Sequence, residues 1–280
     1  MLRTRVITAV VLLILLVGML FFAPALMWAA FMLVVALLGC WEWSRMSALP
    51  KTAQGVYLAL SGAIGGGLWL LYARAPDTYF MTAASFSFIV AALFWVVLAP
   101  LWLANKARPS PLVCAIAGWI VMWPTWFAFV VLHDASPWLL LAIAAIVWAA
   151  DICAYFAGKR FGKRKLAPAV SPGKTWEGVM GALVGVAVYA IILAFIARSS
   201  TTPLSAIFEP AKGVAAIVGM LLLTPLSIIG DLLESWMKRG ASLKDSSNLL
   251  PGHGGILDRI DALTSTLPVA AFALSLGMAT

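Results

Sequence analysis

The segment SWMKRGASLKDSSNLLPGHGGILDRID, residues 235–261, is a long polar run in a chain that is otherwise mostly apolar. It contains four basic and three acidic residues. Charged groups are costly next to hydrocarbon, and those that a membrane protein keeps there are usually functional. We therefore expect this segment to carry the chemistry of the protein.

The composition places the chain among polytopic membrane proteins. Of its 280 residues, 63% are hydrophobic and only 11% are charged, whereas soluble domains carry about 25% charged residues. A hydrocarbon layer about 30 Å thick needs roughly 20 apolar residues per helix. We therefore predict an all-α helical bundle with about nine transmembrane helices. The candidate spans lie near residues 6–22, 25–41, 55–72, 81–103, 112–132, 138–156, 179–196, 214–230 and 263–278.

The charge distribution divides the chain into two regions. Residues 1–135 hold about five spans joined by short loops. Residues 136–280 hold the remaining spans and two charged loops, at 157–178 and 231–262. We predict that this second region is catalytic.

The positions of the cations predict the orientation, because Lys and Arg in short loops stay cytoplasmic. With the N-terminus inside, sixteen of nineteen cations are cytoplasmic, and only Arg74, Arg198 and Lys212 lie outside. The first apolar run follows two arginines, as in a signal peptide, but the apolar character continues to Cys40, so we expect an uncleaved helix pair. We expect an integral protein of the cytoplasmic (inner) membrane with both charged loops on the cytoplasmic face.

Charge and cysteine usage narrow the partners. The net charge of +8 is spread over loops, with no soluble domain to offer a groove for nucleic acid. Anionic lipid and a phosphorylated substrate fit better, and a homodimer is compatible with the sequence. Cys40, Cys114 and Cys153 lie in or beside apolar segments without metal-ligand spacing, so neither disulfides nor zinc are indicated.

The first charged loop contains a candidate phosphate site. Asp151 lies one turn before Tyr155 near the end of the sixth predicted span, and Ser171-Pro172-Gly173-Lys174-Thr175 follows. A Pro-Gly turn just before a helix would expose backbone N–H groups beside a cation and two hydroxyls, which suits a phosphate. It is not a P-loop, since the glycine spacing differs. Binding of the loop cations to anionic headgroups is the alternative.

The second loop is more specific. Asp231, Glu234, Ser235 and Lys238 fall at i, i+3, i+4 and i+7, so they share one face if the eighth span continues as a helix. Asp258 and Asp261 repeat this spacing on a second helix. The intervening PGHGG run, residues 251–255, predicts a tight turn that brings the two acidic faces together. Carboxylates gathered in this way favour Mg²⁺.

Two further residues have alternative interpretations. His253 lies between glycines, and a role in the turn or in ligand contact is favoured over catalysis. Glu42 lies between two tryptophans, and an interfacial acid is favoured over a neighbour of the site. For the whole second loop, the alternative is a solvated segment whose exposed ion pairs are worth under ~1 kcal/mol each.

The second loop resembles the signature of the phosphatidate cytidylyltransferases, or CDP-diacylglycerol synthases. The resemblance rests on Ser235-x-Met237-Lys238-Arg239, on Lys244-Asp245, and on Pro251-x-His253-Gly254-Gly255-Ile256-x-Asp258-Arg259-Ile260-Asp261. Upstream, Asp151-x-x-Ala154-Tyr155 and Ser171-Pro172-Gly173-Lys174-Thr175-x-Glu177-Gly178 are also similar to that family. The signature covers about a tenth of the chain, and the first 140 residues are far less distinctive.

The resemblance implies transfer of a cytidylyl group from CTP to phosphatidate, with Mg²⁺ held by Asp231 and Asp258 and room for a second cation. It also implies roles for three further sets of residues. Asp245 and Asp261 would be additional ligands or would support the ligands. The phosphates would be held by Lys238, Arg239, Lys244 and Arg259. Substrate contacts would come from Ser171, Lys174, Thr175, Asp151, Tyr155, Ser235 and His253.

Two other functional classes share single features with this sequence. A CDP-alcohol phosphotransferase is disfavoured, because its DG-x-x-AR run is absent from the sequence. An ion-coupled transporter could place Asp151 and Asp231 near the membrane, but it would not explain a polar hairpin outside the hydrocarbon. The chain also shows no pair of broken helices in matching halves.

Overall fold

The structure is a computed structural model that describes residues 2–105, 108–198 and 213–278. Its helices are α1 (Leu2–Phe22), α2 (Ala25–Met46), α3 (Lys51–Arg74), α4 (Met81–Leu93), α5 (Ala99–Ala104), α6 (Pro111–Ala135), α7 (Pro137–Phe161), α8 (Trp176–Arg198), α9 (Gly213–Gly240) and α10 (Leu257–Met278). Two π-helical turns flank α4. Pro76–Phe80 precedes α4 and Phe94–Leu98 joins it to α5, so that Pro76–Ala104 is one continuous span. Two short strands, β1 (Lys165–Ala167) and β2 (Ser171–Thr175), lie between α7 and α8.

The predicted helical membrane architecture is confirmed. Each of the nine predicted spans coincides with helix, and eight spans within the described residues are long and apolar enough to cross a membrane. The last predicted span, 263–278, is the apolar part of α10, whose first turn is polar. Of the three cations predicted to lie outside, Lys212 falls outside the described residues.

Two pairs of helices position the polar residues. Gly181 and Gly185 of α8 pack so closely on α7 that a Cβ at either would collide with Ala157 or Cys153. Small residues at this spacing let membrane helices approach closely. On the other side, a Cβ on Gly230 of α9 would lie 2.7 Å from the carbonyl oxygen of Asp261 in α10. These contacts hold α8 against α7 and α9 against α10, and they keep Asp231 near Asp261.

The predicted Pro-Gly turn before α8 is wrong. Ser171–Thr175 is the strand β2, which pairs antiparallel with β1 in the register Lys165 to Thr175 and Ala167 to Ser171. The turn lies at residues 168–170 instead. Pro172 is tolerated because a two-stranded hairpin has an unpaired edge, where a missing backbone N–H costs nothing.

The tight turn predicted at residues 251–255 is confirmed. Leu250 and Gly254 form an isolated antiparallel bridge, and the N–H of His253 donates to the carbonyl of Leu250 at 2.8 Å. Gly252 and Gly254 have φ values of +76° and +83°, a backbone conformation that residues with a Cβ rarely adopt. The helical continuation of the eighth span is also confirmed, because α9 runs on to Gly240.

Candidate active site

A cavity of about 440 Å³ lies between α7, the β-hairpin, α8 and α9. It is within the range of small-molecule sites, roughly 300–1,000 Å³. Six of the predicted site residues line it: Asp151, Tyr155, Ser171, Lys174, Thr175 and Asp231. The two loops that the sequence singled out therefore meet at one cavity.

Lys174 joins the hairpin to α9. Its Nζ lies 2.5 Å from Oδ2 of Asp231, and both side chains are partly exposed, at 24% and 31%. The other oxygen, Oδ1, accepts the hydroxyl of Ser235 at 3.3 Å. Lys174 and Asp231 both line the cavity, so a ligand there can reach the ammonium group and the carboxylate.

The neighbouring hydroxyl of Thr175 has a local structural role. Thr175 is buried, and its Oγ1 accepts the backbone N–H of Gly178 at 3.1 Å, as an N-terminal helix cap does. Glu177 closes the base of the hairpin, because its carboxylate accepts the N–H groups of Lys163 and Arg164. These two hydrogen bonds hold the start of α8 against the hairpin.

A second ion cluster lies where α9 meets α10. The Nζ of Lys238 donates to Oε2 of Glu234 and to Oδ1 of Asp258, both at 2.5 Å. Lys238 and Glu234 are buried. Truncating one partner of such a buried pair leaves the other uncompensated, which costs about 3–5 kcal/mol. The cluster fixes the first turn of α10 against α9.

Both oxygens of Asp258 have donors in the protein. Besides the ammonium on Oδ1, its Oδ2 accepts the N–H of Gly255 at 2.7 Å and both the N–H and the hydroxyl of Ser246 at 3.0 Å. Burial opposes ionisation of this carboxyl, but these bonds and Lys238 hold its pKa below the usual range. Asp258 is therefore an ionised, firmly placed carboxylate.

Asp261 lies one turn further along α10, before the apolar part of the helix. Burial, and after it the nearby Asp231 carboxylate, raise the pKa of Asp261 to about 7. Such a shift means that the two negative charges repel each other in a partly dehydrated place. A cation between these carboxylates would relieve that repulsion.

The donor set fits a magnesium ion that is completed by a ligand. Within the described ranges, no three Asp, Glu, His or Cys side chains are arranged to hold a metal by themselves. Mg²⁺, however, is commonly held by one or two carboxylates together with substrate phosphates. Oε1 of Glu234 is buried without a hydrogen-bond partner, so the cluster also has an oxygen to offer. The residues present therefore fit this ion.

Glu42 of α2 lies beside the Asp258 cluster, whereas the sequence favoured a position at the membrane interface. Its side chain is fully buried, with 0% exposed, and it accepts four hydrogen bonds from the segment 246–257. The favoured assignment to the membrane interface is wrong. The sequence signal was an acid inside an apolar span, which by itself indicates function.

The remaining predicted residues lie apart from the cavity. Arg239, Lys244 and Asp245 are exposed on the segment at and after the end of α9. Arg259 donates through Nε and Nη2 to the carbonyl of His253, at 3.1 and 2.7 Å. His253 thus serves the turn through its backbone, and its buried Nδ1 has no partner in the described part of the chain.

Arg259 also lines a second cavity, of about 330 Å³, which shares no lining residue with the first. The rest of its lining is apolar or aromatic and comes from α1, α2, α6, α7, α10 and the loop before α10, for example Leu16, Phe31 and Leu263. This cavity therefore combines an apolar wall with one cation. Lys174 and Arg259 line separate cavities.

Comparison with known proteins gives a consistent result. A model of the cytidylyltransferase family matches residues 3–276. A phosphatidate cytidylyltransferase of Pseudomonas aeruginosa is 39% identical over 97% of this chain and 96% of its own length. One of Haemophilus influenzae is 35% identical over 97% of this chain and 98% of its own length. One of Brucella suis is 33% identical over 94% of this chain and 90% of its own length.

Proposed function

This chain belongs to the cytidylyltransferase family, and from that membership we propose that it transfers the cytidylyl group of CTP to phosphatidate, giving CDP-diacylglycerol and pyrophosphate. It is a nucleotidyltransferase of phospholipid biosynthesis and an integral membrane protein. The observation that carries the proposal beyond family membership is the contact of Lys174 with Asp231 inside the 440 Å³ cavity. This pair offers a cation to a triphosphate and a carboxylate to its counterion, which supports the proposal.

The chemistry needs no activated nucleophile from the protein. An oxygen of the ionised phosphate of phosphatidate attacks the α-phosphorus of CTP, and the bond from that phosphorus to the bridging oxygen breaks to release pyrophosphate. The protein must then supply positioning and neutralise negative charge. A site made of ammonium groups and carboxylates, without a Ser-His or Cys-His pair, suits that task.

The hairpin cavity suits CTP. Ser171 and Lys174 bring a hydroxyl and a cation to it from β2, and Tyr155 brings an exposed aromatic ring from α7. We assign the triphosphate to the Lys174 side, because an ammonium group binds phosphate oxygens strongly. The second cavity, which is apolar apart from Arg259, suits an acyl chain of phosphatidate. The phosphate of that lipid would lie towards the hairpin cavity, where its oxygen can reach the α-phosphorus of CTP.

We further propose Mg²⁺ as the cofactor, held by Asp231 and Asp261 together with phosphate oxygens of CTP. The ion would supply charge stabilisation for the departing pyrophosphate. Asp258, the other ligand expected from sequence, is bound by the buried ammonium group of Lys238 and by three further donors, whereas Asp231 is partly exposed to the cavity. We therefore assign Asp258 to holding Lys238. Glu234 balances the same ammonium group.

We place the site on the cytoplasmic face, since the positive-inside asymmetry supports that orientation and CTP is a cytoplasmic nucleotide. The hairpin and the segment after α9 then lie inside, with the N-terminus. A bacterial inner membrane is the corresponding location. The same asymmetry gives no preference between a monomer and a homodimer.

The direct test is product formation by the full-length protein in detergent. With CTP, phosphatidate and Mg²⁺, it is expected to release pyrophosphate and form CDP-diacylglycerol, both measured together. Omitting phosphatidate should abolish both, and Asp231→Asn is the inactive control. Release of CMP from CDP-diacylglycerol in the presence of an alcohol, without use of CTP, would instead identify a phosphotransferase.

A further inference from the structure

Within the described residues, every hydrogen bond that the Glu42 carboxylate accepts comes from one segment. Oε1 accepts the hydroxyl of Ser247 at 2.6 Å and the N–H of Ile256 at 2.9 Å. Oε2 accepts the hydroxyl of Ser246 at 3.0 Å and the N–H of Leu257 at 2.7 Å. A buried carboxylate is tolerated only with such compensation.

These four donors lie at the two ends of the segment 246–257, so one side chain holds the ends together. The segment between them contains the tight turn and little regular structure. Gly255 packs so closely on this arrangement that a Cβ there would collide with Glu42 and with the hydroxyl of Ser246. The position must therefore be glycine, and the carboxylate acts as the centre around which the segment folds.

The same segment supplies donors to Asp258. The hydroxyl of Ser246 is 3.0 Å from Oε2 of Glu42 and also 3.0 Å from Oδ2 of Asp258. A hydroxyl has one hydrogen to donate, so the two carboxylates share it. The N–H groups of Ser246 and Gly255 complete the contacts to Asp258. A shift of the segment would therefore move Asp258 and the ammonium group of Lys238 bound to it.

We propose that Glu42 is a positioning residue for the transfer reaction, holding the segment 246–257 and, through it, Asp258 and Lys238. The proposal rests on the function proposed above. Glu42 need not contact either substrate, because it acts only through the groups that it binds. A misplacement of about 1 Å in such groups can cost about 10²-fold in rate.

Replacement by glutamine is a sharp test because it preserves shape. Each oxygen of Glu42 accepts one backbone N–H, from Ile256 or from Leu257. Whichever way the amide is turned, its NH₂ group faces a backbone N–H that cannot rotate away. Aspartate is shorter but keeps two acceptor oxygens. If only packing matters, Glu42→Gln is the milder change; if positioning by acceptors matters, Glu42→Asp is milder.

The experiment compares Glu42→Gln, Glu42→Asp and wild type as purified full-length proteins. We expect Glu42→Gln to lower kcat by about 10²-fold with little change in the KM for CTP, and Glu42→Asp to retain more activity. Asp134→Asn is the matched control, since that carboxylate accepts only from Tyr72, at 2.8 Å, among its hydrogen bonds in the described structure. Near-normal kcat of a folded Glu42→Gln, or less activity in Glu42→Asp than in Glu42→Gln, would overturn the proposal.

A second variant covers the case in which Glu42→Gln does not fold. Ser246→Ala removes only the shared hydroxyl and is expected to lower kcat about tenfold; an unchanged kcat would refute the proposal. Wild type that is inactive on CTP and phosphatidate refutes the proposed function instead. The hold of Glu42 on the segment is then judged without substrate, from amide hydrogen exchange of residues 246–257, which should be faster in Glu42→Gln than in wild type and unchanged in Asp134→Asn.

Discussion

The ammonium group of Lys174 lies 2.5 Å from Oδ2 of Asp231 and so links the β-hairpin to the polar end of α9. The pair is partly exposed to the cavity, so water screens it and its contribution to stability is small. In the proposed function its value lies in binding, because an incoming triphosphate would compete with Asp231 for the ammonium group. The freed carboxylate would then be available to hold the proposed Mg²⁺.

The assignment of the metal predicts different behaviour for two aspartates. Asp231→Asn should lower turnover by about 10²-fold or more and raise the Mg²⁺ concentration needed for half-maximal rate, because an amide cannot balance a divalent charge. Asp258→Asn should also lower turnover, since Lys238 loses a partner, but with a nearly normal Mg²⁺ requirement. Pyrophosphate release measured against Mg²⁺ concentration checks both.

Asp77→Asn, at an exposed position at the end of the bundle predicted to lie outside, is the control for the general effect of losing a carboxylate. It should match wild type in rate and in Mg²⁺ requirement. If Asp258→Asn raises the Mg²⁺ requirement as much as Asp231→Asn does, Asp258 is a ligand and the pairing expected from sequence is restored.

The two cavities predict separable effects of two cations. Lys174→Met should raise the KM for CTP, and Arg259→Met should raise the KM for phosphatidate, because each lines a different cavity. Independent sites give additive free energies within about 0.5 kcal/mol. The double variant should therefore lose the product of the two single effects on kcat/KM. Coupling clearly larger than that would place both cations on one substrate.

Much of this architecture could be predicted from sequence because it depends on local patterns. Spans follow from apolar length, and the common face of Asp231 and Lys238 follows from helical spacing. The turn at 251–255 follows from glycines that adopt positive φ. Each of these features is determined by neighbours a few positions away, so the pattern alone was sufficient.

The errors arose where distant segments decide the structure. The Pro-Gly pair at 172–173 is a turn by local preference, but pairing with β1 makes it strand. Glu42 contacts residues 204 to 215 positions away, and no local pattern could indicate that. The partners of Asp258 depend on the same fold of the segment, so no local pattern could indicate which groups surround its carboxylate.

The orientation can be tested by labelling introduced cysteines from one side. After replacement of the native cysteines by Ala, Ala169→Cys and Asn248→Cys should react with a membrane-impermeant thiol reagent only in opened membranes. Thr78→Cys should react in intact cells, because it follows α3 at the opposite end of the bundle. All three positions are exposed in the structure. Labelling of position 248 in intact cells would invert the topology and contradict a cytoplasmic site.

The close approach of α9 and α10 at Gly230 predicts that a larger residue there disturbs both stability and turnover. A Cβ at Gly230 would lie 2.6 Å from the hydroxyl of Ser265 and 2.7 Å from the carbonyl oxygen of Asp261. Real Cβ atoms do not come so near backbone, so Gly230→Ala must push the helices apart, and overpacking of this kind costs about 1–3 kcal/mol.

Because Asp231 and Asp261 sit beside this contact, Gly230→Ala should lower turnover as well as the unfolding temperature. Gly219→Ala on the same helix is the matched control, since a Cβ there meets nothing within 4 Å. It should be neutral or slightly stabilising, because Ala favours helix over Gly. Equal behaviour of the two variants would mean that the spacing of α9 and α10 does not set the geometry of the two carboxylates, and the proposed Mg²⁺ ligand pair would lose its structural basis.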